Sequence, residues 1–101
     1  MRAGEPPSER LEMGLDHEEF FRLLPSAVEG RRFTVEGTRV IVEDAPDRRV
    51  IIRLEPESLR RLGPTLVLPV TALEIAFEGF GAADACAFLE RFHRHYQRGG
   101  G

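Results

Sequence analysis

The side chains best suited to metal binding or nucleophilic catalysis are three histidines and one cysteine. His93 and His95 lie two positions apart within a helical pattern, so their imidazoles point about 200° apart around the helix axis. Cys86 shares a flank with His93, but two turns separate the pair by about 10 Å along that axis. This distance is too long for a shared zinc ion or a thiolate–imidazole pair. His17 could complete a site only if the first helix docked beside them, so we predict no metal site and no catalytic residue.

The serines and the one glycine pair that follows a predicted strand lack the surroundings that catalysis or phosphate binding requires. Ser8, Ser26 and Ser58 are not in the strand–turn–helix context of a nucleophile elbow. Gly79 and Gly81 lack the third glycine and the lysine of phosphate-binding loops. We therefore predict a protein that is not an enzyme and that holds no cofactor.

Charge and composition argue against nucleic acid and membrane as partners. The chain has 14 basic and 17 acidic residues, a formal net charge of −3, and every basic residue is an arginine, which is typical of a GC-rich bacterial genome. Domains that bind nucleic acid usually have a pI above about 9. The N-terminus is too polar for a signal peptide, and no apolar run reaches the roughly 18 residues of a membrane span. We expect a soluble cytoplasmic protein.

A second feature that could take part in chemistry is the C-terminus, which consists of Arg98, Gly99, Gly100 and Gly101. A glycine carboxylate on a flexible tail can enter the narrow channel of an activating enzyme, because glycine has no side chain to clash. This end resembles the diglycine terminus of ubiquitin-like sulfur carriers and modifiers, a resemblance that covers four residues. In those families the tail follows a strand, whereas here it follows a helical pattern. A helix C-cap with a frayed end and a tail that packs on a partner are the alternatives.

The N-terminal part of the chain predicts a tail followed by a helix. Residues 1–14 are rich in glycine, proline and glutamate, which indicates disorder. Asp16 and Glu19 form a capping box at the start of a helix with one aromatic face. Pro25 lacks a donor, so we expect about two turns that are kinked or restarted there, and Gly30 stops the helix.

Alternating apolar residues from Arg31 to Leu54 predict a β-hairpin followed by a third strand. Residues 57–63 fit either one helical turn or an irregular crossing, and residues 66–70 are extended but interrupted by Pro69, as at a sheet edge. Residues 70–77 form the last strand. An apolar stripe at helical spacing then predicts a second helix over residues 82–97.

These elements predict an α+β fold of two layers, in the order α-β-β-β-(β)-α. An antiparallel meander sheet is covered on one face by the N-terminal and C-terminal helices. Residues 15–98 form a single domain between the disordered tail and a flexible glycine tail at residues 99–101.

The most favoured function is binding of a protein or a small apolar ligand by a small domain that is not an enzyme. The alternatives are a carrier that uses its glycine tail and an accessory subunit of an enzyme complex. Exposed phenylalanines would mark an interface or an apolar pocket, and the apolar edge at residues 66–70 would support a homodimer. The candidate interface residues are Phe20, Phe21, Phe80, Phe88, Leu66 and Leu68.

Overall fold

The computed structural model describes the backbone of residues 8–100 and the side chains of residues 8–97. Six antiparallel strands form an open sheet in the order β1-β6-β4-β3-β2, and β5 pairs with the first residues of β6. Two helices flank this sheet, so the predicted α+β class is confirmed. In chain order the elements are β1 (Ser8–Met13), α1 (His17–Ala27), β2 (Arg32–Glu36), β3 (Arg39–Ala45), β4 (Arg48–Leu54), β5 (Ser58–Arg61), β6 (Val67–Glu78) and α2 (Ala82–Gly100).

Both helices pack on one face of the sheet, as predicted. The long strand β6 shows which face, because Leu73, Ile75 and Phe77 are buried while the residues between them are less buried or exposed. The two helices meet where the rings of Phe20 and Tyr96 stack with centroids 5.2 Å apart. The Tyr96 hydroxyl also donates to the Phe20 carbonyl at 2.9 Å. The opposite face of the sheet is not covered by either helix.

Helix α1 begins where the capping motif predicts and extends further than expected. The Asp16 carboxylate accepts from the Glu19 amide at 2.9 Å, which satisfies one of the free donors of the first turn. The helix continues for 11 residues through Pro25 to Ala27, so the prediction of about two turns is wrong. Burial of Ala27 against the core extends the last turn beyond the proline. Gly30, with φ +79°, then donates to the Pro25 carbonyl at 3.1 Å.

The predicted tail at residues 1–14 contains an unexpected strand. Residues 8–13 form β1, which pairs with β6 along its whole length. Leu11 and Met13 lie opposite core-facing positions of β6 and pack on its hydrophobic cluster. The signal in the sequence is weak because the strand lies at an edge and buries only these two apolar side chains. Residues 1–7 of the predicted tail lie outside the described residues.

The segment around Pro69 also differs from its prediction. Part of the ambiguous stretch at residues 57–63 forms β5, and the two extended segments that follow merge into the 12-residue strand β6. The Ala72 carbonyl accepts from the Glu55 amide at 2.8 Å on the β4 side. The backbone N–H and C=O groups of consecutive strand residues point to alternate edges of the strand. Because Pro69 is three positions from Ala72, its nitrogen faces the edge opposite β4. There β1 has already ended at its pairing with Thr71, so the strand tolerates a residue without an N–H.

Helix α2 runs past its predicted end. It was expected over residues 82–97, but it extends to Gly100 and therefore includes Gly99. A glycine within a helix costs only about 1 kcal/mol relative to alanine, so the last turn can propagate into the glycines. The predicted tail residue Gly101 and the side chain of Arg98 lie outside the described residues.

Candidate functional site

The phenylalanines proposed as an interface lie in the hydrophobic core. Phe20, Phe80 and Phe88 are buried, and Phe21 is half-buried with its ring edge-on to Phe20, at a centroid separation of 5.3 Å. Phe88 and Phe80 both pack against Phe77 of β6. An interface was expected only where these rings are exposed, and the four rings do not form an exposed aromatic surface.

The two leucines proposed with them lie in a different environment, on a hairpin at one end of the sheet. We call residues 58–70, which include β5 and the first part of β6, the arm. Leu66 is 49% exposed, and Leu68 is exposed as well. In the described part of the chain, six large aliphatic side chains are exposed, and five of them lie in the arm. These five are Leu59, Leu62, Leu66, Val67 and Leu68.

The arm is a two-stranded ribbon that extends beyond the helices. Its register pairs Ser58 with Val70 and Arg61 with Val67, and no third strand of the described chain pairs with these residues. A two-stranded ribbon is marginally stable in water unless a hydrophobic face packs against something. The arm exposes large apolar side chains where such a packing partner would stabilise it.

One face of the arm continues the helix-covered face of the sheet. Cross-strand partners share a face, and the alternation of β6 places Pro69 and Val67 on the same face as the buried core positions. Their partners Leu59 and Arg61 lie beside them. Leu59 is the most exposed large aliphatic side chain described, at 74%. Pro69 also borders a shallow pocket of about 290 Å³ against the acidic first turn of α1, where Glu18 is exposed. We call this surface the helix-side face of the arm.

Charges on the helix-side face lack partners among the described residues. The Arg61 guanidinium reaches only the Pro64 carbonyl, at 3.5 Å. Within the described part of the chain Glu18 contacts no basic side chain, while its neighbour Glu19 bonds Arg22. Among the described residues, the helix-side face therefore has an apolar centre with an unpaired positive charge towards the tip of the arm and an unpaired negative charge at its base.

The opposite face of the arm, which we call the open face, has charges that are already paired. Arg60 donates to Glu12 at 2.7 Å, and Arg10 makes two hydrogen bonds of 3.0 Å to Glu55. The hydrogen bond from Arg10 lowers the pKa of the Glu55 carboxyl. Leu68 shares this face with Arg60. The charged groups at the base of the open face are therefore already paired with partners in the same molecule.

The histidines of α2 diverge, as the sequence predicts. His93 Nε2 lies 3.3 Å from Glu9, and His95 Nε2 lies 3.3 Å from Glu29, which belongs to a different part of the chain. The hydrogen bond with His95 is the main cause that lowers the pKa of Glu29. Cys86 is exposed on α2. These side chains make separate contacts and form no common centre.

His17 is also separate from the histidines of α2. Its Nε2 lies 2.8 Å from the Glu55 carbonyl, and its amide donates to Glu57 at 2.8 Å. The first helix therefore places this ring at the start of the arm and not beside Cys86. Among the residues that the structure describes, no group of three histidine, cysteine, aspartate or glutamate side chains could hold a metal ion.

A pocket of about 370 Å³ lies between β1 and the last turns of α2. Leu11 and Met13 supply part of its wall, together with His93 and Tyr96. The Tyr96 hydroxyl already donates to a carbonyl of α1, and burial raises the pKa of this phenol. His93 already contacts a glutamate of β1. The Tyr96 hydroxyl and the Nε2 of His93 are therefore already engaged within the molecule.

No helix in the described part of the chain is long and apolar enough to cross a membrane. The comparisons with known proteins add no family to these observations. No protein-family model, no curated protein and no solved structure matches this chain.

Proposed function

We propose that this chain is a protein-binding domain and that the arm is its binding surface. The observation that carries the proposal is the concentration of five large exposed aliphatic side chains in one hairpin, whereas Val35 is the one other exposed large aliphatic side chain in the described residues. Clustered apolar surface of this kind marks interaction sites, while single exposed residues are ordinary. Binding there removes the apolar surface from water and gives the ribbon the packing that it lacks.

The shape of the arm favours a protein over a small molecule. Small ligands bind in concave pockets that bury most of their surface. The arm is a two-stranded ribbon, and its exposed leucines and valine lie on both faces of that ribbon. A protein surface can cover such a ribbon over its length. The exposed thiol of Cys86 fits a reducing compartment such as the cytoplasm.

Photo-crosslinking in the cells that produce the protein tests this function. A photoreactive amino acid replaces Val67 in one variant and Val35 in a control variant. The two positions are matched because both are strand valines whose side chains are 41% and 44% exposed, and only Val67 lies in the arm. We expect a discrete crosslinked product from position 67 and none from position 35. Equal labelling at both positions, or no product at position 67, would contradict the proposal.

A further inference from the structure

We propose that the protein that covers the arm is a second copy of this chain. The helix-side faces of the two arms pack against each other, with the arms antiparallel about a two-fold axis. This inference rests on the proposed function of the arm and names its partner. It follows from the order of apolar and charged groups along the helix-side face.

The helix-side face is complementary to itself. In a two-fold interface every contact occurs twice, because residue i of the first copy meets residue j of the second and residue j of the first copy meets residue i of the second. Antiparallel packing places the tip of each arm over the base of the other, so Arg61 of one copy meets Glu18 of the second copy. Leu59 and Val67 form the centre, where each removes exposed apolar surface from water. The interface therefore pairs both free charges and buries the most exposed leucine.

The open face is less suited to this contact. Its base already pairs Arg60 with Glu12 and Arg10 with Glu55. A second copy docked there would have to bury or break these ion pairs, and partial burial of paired charges costs free energy without new partners.

Edge-to-edge pairing of two arms is also unfavourable. On the free edge of β6, Pro69 offers no N–H to a new strand. On the free edge of β5, two-fold pairing centred on the strand would set Arg60 opposite Leu59 and Arg61 opposite Ser58 of the second copy. Arg60 of one copy and Arg61 of the other would then be diagonal neighbours on the same face, about 7–8 Å apart, where these long side chains of like charge repel each other. The geometry thus favours contact between faces and disfavours extension of the sheet.

Charge reversal tests the interface. Sedimentation of the full chain over a range of concentrations measures the dimer dissociation constant. Arg61→Glu should raise this constant by about tenfold or more, because it places two negative charges opposite each other. Glu18→Arg should do the same. The double variant Arg61→Glu with Glu18→Arg should return to within about threefold of the wild-type constant, since it restores both pairs with their signs exchanged.

Arg60→Glu is the matched control, because Arg60 is the adjacent arginine of the same strand and faces the other way. We expect it to leave the dissociation constant unchanged within about twofold. Circular dichroism checks that each variant is folded. A double variant as weak as the single ones, or an Arg60→Glu effect equal to that of Arg61→Glu, would overturn the proposed interface.

The crosslinking experiment separates the failure of this inference from the failure of the proposed function. A product at position 67 with twice the mass of the chain, together with a dimer in sedimentation, supports the second copy as partner, because Val67 lies on the helix-side face. A product with another protein, together with a monomer in sedimentation, overturns the dimer and leaves the arm as a protein-binding surface. No product at position 67 and a monomer in sedimentation overturn both.

Discussion

The contribution of a buried carboxylate to the free energy of unfolding can be tested at Asp44. It lies at a bulge of β3, where the pairing with β4 shifts register, and its side chain is only 6% exposed. Its two carboxylate oxygens bind Arg31 and Arg48, each at 2.6 Å. The two guanidinium groups lie over the rings of Phe88 and Phe80, at 5.5 and 4.6 Å from the ring centroids. One carboxylate therefore links the sheet to two arginines that cover the aromatic core.

Asp44→Asn removes the charge and keeps the shape. The amide nitrogen of asparagine cannot accept a hydrogen bond, so one of the two arginines loses its partner in a partly buried site. Removing one member of a fully buried ion pair costs about 3–5 kcal/mol. Because Arg31 and Arg48 retain other acceptors, the Val28 carbonyl and Asp84, we expect a smaller loss of about 2–3 kcal/mol in the free energy of unfolding.

Urea denaturation followed by far-ultraviolet circular dichroism measures this loss. In a thermal scan, about 2–3 kcal/mol corresponds to roughly 10–20 °C in Tm for a domain of this size. The matched control is Glu78→Gln, which removes an equivalent charge from the exposed pair with Arg49. We expect the control to cost less than about 1 kcal/mol, and we expect 1 M salt to reduce its effect further. Equal losses from the two variants would refute the argument that burial makes Asp44 important.

Two other predictions concern single contacts in the core and at a turn. Gly79 and Gly30 both have φ +79°, but a Cβ at Gly79 would lie 2.0 Å from the Asp47 carbonyl oxygen whereas one at Gly30 meets nothing within 4 Å. In urea denaturation, Gly30→Ala should cost about 1–2 kcal/mol and Gly79→Ala distinctly more; equal costs would contradict the steric argument. Tyr96 keeps its proton in the fold because burial raises its pKa, whereas the unfolded phenol ionises near pH 10. The stability that this phenol contributes is complete below pH 10 and is lost as the pH rises further, so the free energy of unfolding should fall by up to about 1.4 kcal/mol between pH 10 and 11. Tyr96→Phe should abolish this phenolic contribution. A similar decline in the variant would contradict the prediction.

Sequence patterns predicted those elements whose signals are local. The start of α1 depends on Asp16 and on Glu19 three positions later, and the structure contains that cap. The stripe of α2 and the hairpin of β2 and β3 follow from periodicities of 3.6 and 2 within single segments. Helix geometry alone also predicted that His93 and His95 diverge. Each of these features depends on contacts between residues that are close along the chain.

The arm shows why part of the candidate site escaped prediction. Leu66 and Leu68 were proposed from their apolar character, but a run of leucines has the same hydropathy pattern whether its side chains are buried or exposed. Leu59 was missed because residues 57–63 fitted more than one local structure, and only pairing with β6 makes them a strand. The burial of Phe20, Phe80 and Phe88 also depends on how the helices pack against the sheet, which is a long-range property that no local pattern shows.

The sequence by itself determined where the helices and the central strands lie and which face of each is apolar, because capping and periodicity act over a few residues. Tertiary structure alone decided that residues 8–13 pair with β6, that Asp44 is shared by two arginines, and that Arg61 and Glu18 have no oppositely charged partner among the described residues. The pairing of β1 with β6 and the contact of Asp44 with Arg31 both join residues more than ten positions apart. No local pattern specifies which distant strand supplies a partner, or which surface is left without one.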